Sequence, residues 1–185
     1  RSMRLVAAHS DVPVPDVPWV EDDAEHLGAP FIVMRRVAGR ALPDMPPYVF
    51  GGSFLDAMSA HERRALQANA ASVLARLHAI DLSTADASTI GPTGESGRES
   101  LERQLREMEH YHRWARTTWE FGDQPVPIID AAIEWLWQHF PADPGPTVLN
   151  WGDARPGNIL FDGTEPVAVL DWEMVNLGPA GVDVG

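Results

Sequence analysis

The stretch NWGDARPGN, residues 150–158, carries an Asp and an Asn five positions apart, Asp153 and Asn158. Such residues are common in turns, where their side chains bond neighbouring backbone groups, so this cluster alone can be an ordinary turn. A second Asp, Asp171, follows 18 positions after Asp153, at the end of an apolar run. Residues 158–171 form two apolar runs around a Gly-containing turn, which predicts a hairpin. We therefore expect the hairpin to bring Asp171 back beside the loop.

Three oxygen-bearing side chains at one loop favour a particular chemistry. Mg²⁺ prefers oxygen ligands and completes its shell with water and substrate phosphates. An Asp that does not bind the metal can accept a proton from a hydroxyl. The catalytic loop of the protein-kinase fold divides the work in this way. The spacing predicts Asp153 as the catalytic base, and Asn158 and Asp171 as Mg²⁺ ligands.

Residues 148–179, VLNWGDARPGNILFDGTEPVAVLDWEMVNLGP, resemble the signature of the aminoglycoside phosphotransferase and choline kinase-like family. The segment LARLHAID, residues 74–81, is similar to a helix signature of that family. The resemblance implies an α+β fold, a kinase-like C-terminal lobe that is mostly helical with short hairpins at the catalytic and metal loops. It divides the chain into residues 1–38, an N-lobe remnant and hinge, and residues 39–185, the catalytic lobe.

The segment FIVMRRVAGRAL, residues 31–42, resembles the family's connection between its two lobes. That resemblance implies that the backbone of Arg35 and Val37 contacts the adenine of ATP and that Met34 flanks the pocket. The residues alone predict that 31–37 form a buried strand. The resemblance also makes Asp183 a structural residue.

Two features depart from the family pattern. Trp151 stands where the family commonly has His, which we expect to alter geometry more than chemistry. The family's Gly-rich phosphate loop and its ATP-binding Lys precede the strand at residue 31, and all 14 basic residues here are Arg. We therefore expect a C-terminal lobe with a remnant of the N-lobe sheet, incomplete at its C-terminal end, that transfers little phosphate alone. Arg155 could meet phosphate or form a structural ion pair.

The remaining pattern predicts three helices and an extended N-terminal segment. Ser59 and Glu62 have capping-box spacing at the start of a helix that runs to Ile80. The second and third helices are expected at 100–119 and 126–139, while 11–20 read as an extended arm or edge strand. His78 reads as a packing histidine rather than a ligand.

Composition excludes several function classes. The net charge of −13 opposes binding to nucleic acid and to anionic lipid. No apolar run approaches the roughly 18 residues that a membrane span needs. The chain has no cysteine, which excludes disulfides and thiolate zinc sites. We expect a cytoplasmic protein with no nucleic-acid partner and no membrane partner.

The predicted function is transfer of the γ-phosphate of ATP, or of GTP, to a hydroxyl of a small molecule. The acceptor stays open between an aminoglycoside, a choline-like molecule and a hydroxyacyl compound. The last option arises because AVLDWEMVNLGP, residues 168–179, resembles kinase-like domains fused to acyl-CoA dehydrogenases. The alternative is a non-catalytic kinase-like binding module. An apolar strand at the sheet edge also allows a homo-oligomer.

Overall fold

The computed structural model describes residues 1–118 and 126–185. The helices in these ranges are α1 (Ser2–His9), α2 (Ala60–His78), α3 (Gly97–Thr118), α4 (Pro127–Gln138) and α5 (Gly181–Val184). The strands are β1 (Trp19–Glu21), β2 (Phe31–Val33), β3 (Thr147–Asn150), β4 (Ile159–Asp162), β5 (Glu165–Val169) and β6 (Asn176–Pro179). The expected α+β class is confirmed. Trp119, the predicted end of the second helix, lies outside the described residues.

The strands pair as three small antiparallel sheets, β1–β2, β3–β6 and β4–β5. The predicted hairpin is present, since β4 and β5 are joined through Gly163 and Thr164. β6 was not predicted, and it pairs with β3 from Thr147 opposite Pro179 to Asn150 opposite Asn176. Helices α2 and α3 pack against these strands. The loops between β3 and β4 and between β5 and β6 therefore extend from strands that pack against the same two helices.

Both long helices begin with a capping box. At α2 the Ser59 hydroxyl accepts from the Glu62 N–H at 3.2 Å, while the Glu62 carboxylate accepts from the Ser59 N–H at 2.7 Å. Ser96 and Glu99 make the same exchange at the start of α3, at 3.3 Å and 2.8 Å. The predicted start of α2 is confirmed, and α3 begins three residues before the predicted residue 100.

The N-terminal region contains a helix that the sequence pattern did not reveal. Met3 and Val6 of α1 are buried, and the Arg4 guanidinium donates to the Val17 carbonyl at 2.7 and 3.0 Å. That contact holds the proline-rich segment that leads to β1. The predicted edge strand is therefore realised only at Trp19–Glu21.

The prediction of a buried strand over residues 31–37 is wrong. Only Phe31–Val33 form β2, and Ile32, Val33 and Met34 are between 42% and 48% exposed. Among the described residues β2 pairs only with β1. An apolar run therefore lies at an open sheet edge.

One cluster of buried side chains forms the core. Val73 and Leu77 of α2 pack with residues of every strand from β3 to β6, and side chains before residue 38 join the same cluster. Its members from the strands and the N-terminal segment include Met3, Val6, Val12, Val17, Leu149, Ile159, Phe161, Val169 and Leu177. The division at residue 38 stays a prediction. Within the described ranges, none of the helices is long and apolar enough to cross a bilayer.

Candidate active site

The loop between β3 and β4 carries the predicted base. It turns at Gly152, where φ is 96°, a conformation that side chains other than Gly rarely adopt. A Cβ at Gly152 would lie 2.1 Å from the Met174 carbonyl oxygen, so no side chain fits there. The loop then closes with a short 3₁₀ turn over Pro156–Asn158. Glycine at 152 is thus required for the two loops to approach each other.

Asp153 has one carboxylate oxygen engaged and one available. Oδ2 accepts from Arg155 Nε at 2.9 Å and from Asn158 Nδ2 at 2.7 Å. Oδ1 takes no hydrogen bond from the residues that the structure describes. The Arg155 hydrogen bond, followed by that of Asn158, holds the pKa of Asp153 below its ordinary value. The side chain is therefore ionised at neutral pH and presents one oxygen to a ligand.

Asn158 is oriented so that its amide oxygen is the available group. Its Nδ2 donates to the Asp153 carboxylate and, at 3.2 Å, to the Asp153 backbone oxygen. The side-chain amide oxygen is left as an acceptor, which suits a hard cation. The Asn158 carbonyl accepts from the Leu170 N–H at 2.9 Å, which places the residue before Asp171 against the loop.

Asp171 has an unusual backbone conformation. Its φ is 58°, and it is the single non-glycine residue with positive φ in the described ranges. Positive φ is uncommon outside glycine, and such residues cluster at functional sites. The buried Trp151 indole N–H donates to the carbonyls of both Leu170 and Asp171, each at 2.9 Å. Trp151 therefore joins the β3–β4 loop, which carries Asp153 and Asn158, to the backbone at Asp171.

Asp183 anchors the backbone of the loop between β3 and β4. Its buried carboxylate accepts from the backbone N–H groups of Trp151 and Gly152, each at 2.8 Å, and bonds His78 Nε2 at 2.9 Å. Two successive N–H groups pointing at one carboxylate hold the backbone immediately before Asp153. His78 is thus a satisfied internal histidine, and Asp183 is structural.

A cavity of about 390 Å³ lies between β2 and the loop that carries Asp171. Its lining includes Met34, Asp171 and Trp172, so the predicted hinge residue Met34 and a predicted metal ligand face one space. Arg35 and Val37 are not among the lining residues. The Arg35 N–H donates to the Asp16 carbonyl at 2.8 Å, whereas within the described residues the Arg35 carbonyl accepts no hydrogen bond and the Val37 N–H donates none. Nucleotide contact by Arg35 and Val37 stays a prediction.

Sequence reasoning missed Asp44. The Asp44 carboxylate binds Arg155 Nη1, while Arg155 Nε binds Asp153. The hydrogen bonds to Asp44 and to Asp153 raise the pKa of the Arg155 guanidinium. Asp44 and Arg155 are 111 positions apart in the sequence, and no local sequence pattern marks Asp44. Arg155 thus forms the ion pair that was one of its two expected roles.

The proposed ligands Asn158 and Asp171 would supply only part of the coordination shell of Mg²⁺. In the described residues, no group of three or more His, Cys, Asp or Glu side chains could hold a metal ion. One carboxylate, from Asp171, and one amide oxygen, from Asn158, are few protein ligands. Mg²⁺ commonly binds through so few groups because it keeps waters and substrate phosphates.

Known proteins share this arrangement of elements. A protein from Ralstonia eutropha classed with the aminoglycoside phosphotransferases superposes with a TM-score of 0.74 at 28% identity, over 99% of this chain and 51% of its own. A thermostable aminoglycoside phosphotransferase APH(4)-Ia, solved with ADP and hygromycin B, superposes with a TM-score of 0.70 at 21% identity, over 98% of this chain and 58% of its own. These likenesses support the expected kinase-like fold.

Curated relatives are much longer proteins. Mouse acyl-CoA dehydrogenase family member 10 is 28% identical over 100% of this chain and 16% of its own length. Chicken acyl-CoA dehydrogenase family member 11 is 30% identical over 90% of this chain and 19% of its own length. The chain therefore spans about a fifth or less of these curated relatives and somewhat more than half of the solved structures.

The family model described as the phosphotransferase enzyme family matches residues 1–185. The match covers both loops of the site and the buried carboxylate of Asp183, which anchors the loop between β3 and β4. With the fold likeness and the joined loops of Asp153 and Asp171, it establishes that the chain belongs to the phosphotransferase enzyme family.

Proposed function

We propose that this chain carries the catalytic residues of a small-molecule phosphotransferase, which moves the γ-phosphate of ATP or GTP to a hydroxyl. The observation that carries the proposal is the hydrogen bonding of the Asp153 carboxylate. Arg155 and Asn158 hold one of its oxygens, and the other takes no hydrogen bond from described residues. Membership of the family supports phosphoryl transfer as the reaction class.

The free oxygen of Asp153 accepts the proton of the acceptor hydroxyl. As that proton leaves, the acceptor oxygen bonds to the γ-phosphorus, and the bond from phosphorus to the bridging oxygen breaks to release ADP or GDP. The lowered pKa of Asp153 keeps it ionised and makes it a weak base, so it acts by position rather than by strength. Positioning and charge stabilisation supply most of the rate in phosphoryl transfer.

Asn158 and Asp171 would hold Mg²⁺, which when bound offsets negative charge on the phosphates. Asp171 also lines the cavity with Met34, so a nucleotide in that cavity would extend from β2 to Asp171, one of the two proposed metal ligands. Two structural neighbours were solved with ADP and with GDP. These complexes support a nucleotide as the phosphate donor.

Two observations bear on the acceptor. The net charge of −13 favours a cationic acceptor, such as an aminoglycoside or a choline-like alcohol. The names of the curated relatives, acyl-CoA dehydrogenase family members, favour a hydroxyacyl compound. Assays with one acceptor from each of the three classes, in which ³¹P NMR identifies the phosphorylated product, distinguish these alternatives.

The decisive experiment compares substitutions in the full-length protein, meaning the protein as its complete gene encodes it. Asp153→Asn should lower kcat by about 10²–10⁴-fold and leave Mg·ATP affinity largely intact, because it removes only the proton acceptor. Asp171→Ala should lower both affinity and kcat, and Asn158→Ala should lie between, since water can replace a neutral ligand. Asp162→Asn, an exposed Asp on β4, is the matched control. A near-normal kcat for Asp153→Asn would show that the loop is an ordinary turn.

A second candidate is a non-catalytic binding module located in the cytoplasm, as is the enzyme we propose. It is favoured by one observation, the absence of lysine among the 14 basic residues. For the same reason we expect the 185-residue chain to transfer little phosphate by itself. Calorimetric binding of Mg·ATP without turnover by the full-length protein would support the module. Turnover abolished by Asp153→Asn would exclude it.

A further inference from the structure

The catalytic loop is bound by a segment that no sequence pattern connects to it. Residues 40–44 follow the proposed hinge and begin beside β4, where Arg40 and Phe161 exchange both backbone hydrogen bonds at 2.9 Å. Leu42 is buried in the core beside this contact. Asp44 then reaches the loop and binds Arg155. The segment is therefore fixed at one end by β4 and contacts the loop at the other.

The contact between Asp44 and the loop is close. A Cβ on Gly157 would lie 3.1 Å from Asp44 Oδ1 and 3.3 Å from Arg155 Nη1. These distances leave no room for a side chain without movement of its neighbours. The carboxylate therefore sits directly over the loop backbone, between Asp153 and Asn158 in sequence.

Arg155 uses two different nitrogens for its two carboxylate partners. Nη1 binds Asp44, and Nε binds Asp153 Oδ2 at 2.9 Å. The guanidinium is planar and rigid, so holding one nitrogen fixes the direction of the other. Without Asp44, the long Arg155 side chain would regain rotamer freedom, and its hold on Asp153 would weaken.

We propose that Asp44 is a positioning residue for the catalytic base: it fixes the Arg155 guanidinium, which fixes Asp153 Oδ2 and leaves Oδ1 for the acceptor hydroxyl. The proposal rests on the proposed function, because positioning matters only if Asp153 is the base. It also connects the segment beyond the hinge to Asp153 through the two ion pairs that Arg155 forms.

A purely structural ion pair would have a different effect. Asp44 and Arg155 have side chains 56% and 42% exposed, and exposed pairs contribute little stability. Loss of Asp44 should therefore change the free energy of unfolding little, while it lowers kcat clearly. The matched control is Glu102→Ala, which breaks the Glu102–Arg106 pair on α3 at similar exposure, 39% and 59%.

The first test needs no activity. In the ¹H–¹⁵N spectrum of the 185-residue chain, the Nε–Hε signal of Arg155 is assigned by its loss in Arg155→Lys. We expect this signal to exchange slowly in the wild type, to broaden or vanish in Asp44→Ala, and to persist in Glu102→Ala. An unchanged signal in Asp44→Ala would overturn the proposal.

The second test measures ADP release from Mg·ATP by the full-length protein. Asp44→Ala should lower kcat about tenfold and change KM by less than about twofold, as expected for a displaced base. Asp44→Asn, which keeps an acceptor oxygen, should recover part of that loss. The double variant Asp44→Ala/Arg155→Lys should be no slower than Arg155→Lys alone, because both act through one contact.

The outcomes separate the two proposals. A wild-type full-length protein that releases no ADP and phosphorylates no acceptor refutes the proposed function, while the Arg155 signal still decides whether Asp44 orients it. An active wild type whose kcat is unchanged by Asp44→Ala refutes the positioning role alone. Additive losses in the double variant refute it as well.

Discussion

The anchoring of the loop between β3 and β4 by Asp183 makes a quantitative prediction. Asp183→Ala removes an acceptor shared by the backbone N–H groups of Trp151 and Gly152 and by His78. A buried N–H left without an acceptor costs about 1–3 kcal/mol. The Trp151 N–H is fully buried and bears the whole cost, whereas the Gly152 N–H is partly exposed and can recruit water. We expect the free energy of unfolding to fall by about 3 kcal/mol in total.

The assay is urea unfolding of the 185-residue chain, followed by circular dichroism and tryptophan fluorescence. The slope of free energy against denaturant should stay the same, because the change alters stability and not the surface exposed on unfolding. Asp183→Asn should lose less, because it keeps one acceptor oxygen and the side-chain volume. Asp22→Ala is the control, since Asp22 pairs with Arg1 at the surface. A loss below about 1 kcal/mol for Asp183→Ala, the range of an exposed ion pair, would refute the anchoring role.

Three further predictions concern other parts of the fold. Gly152→Ala should leave most of the chain unfolded or bind no nucleotide, because its Cβ would overlap the Met174 carbonyl, and thermal unfolding with nucleotide titration checks this. Hydrogen bonds from the capping serines hold the pKa values of Glu62 and Glu99 below their ordinary 4.5, so their stabilisation is complete above pH 4.5 and is lost as pH falls through the lowered values. The stability of Glu62→Gln measured against pH should fall less steeply below 4.5 than that of the wild type, and equal slopes would contradict this. The exposed edge of β2 should make the chain self-associate with rising concentration, and Ile32→Lys should abolish that; a wild-type monomer at all concentrations in sedimentation velocity would exclude it.

Several elements were predictable because their causes lie within a few residues. The capping box of Ser59 and Glu62 needs only a three-residue spacing, and the structure confirms it. The β4–β5 hairpin follows from two apolar runs around Gly163, whose φ of 59° suits the turn. The spacing of Asp153 and Asn158 likewise predicted that they lie at one loop, where their side chains bond each other.

Helix α1 and strand β2 show where local patterns fail. Residues 2–9 carry no side-chain cap, and the helix is stabilised by burial of Met3 and Val6 against distant residues. The apolar run at residue 31 predicted burial, but burial depends on a covering layer, and β2 pairs only with β1 in the described residues. Neither feature could be derived from the segment itself.

The sequence by itself predicted the candidate residues and the local elements that hold them: Asp153 and Asn158 lie in one loop, and a hairpin leads from that loop to Asp171. Tertiary structure decided how the site is held. Asp183 bonds the loop from 31 and 32 residues away, and Asp44 reaches Arg155 across 111. Spacing rules describe interactions within a helical turn or a hairpin, whereas these contacts depend on how separate elements pack. Only the packing of these elements places the Asp183 and Asp44 carboxylates on the loop between β3 and β4.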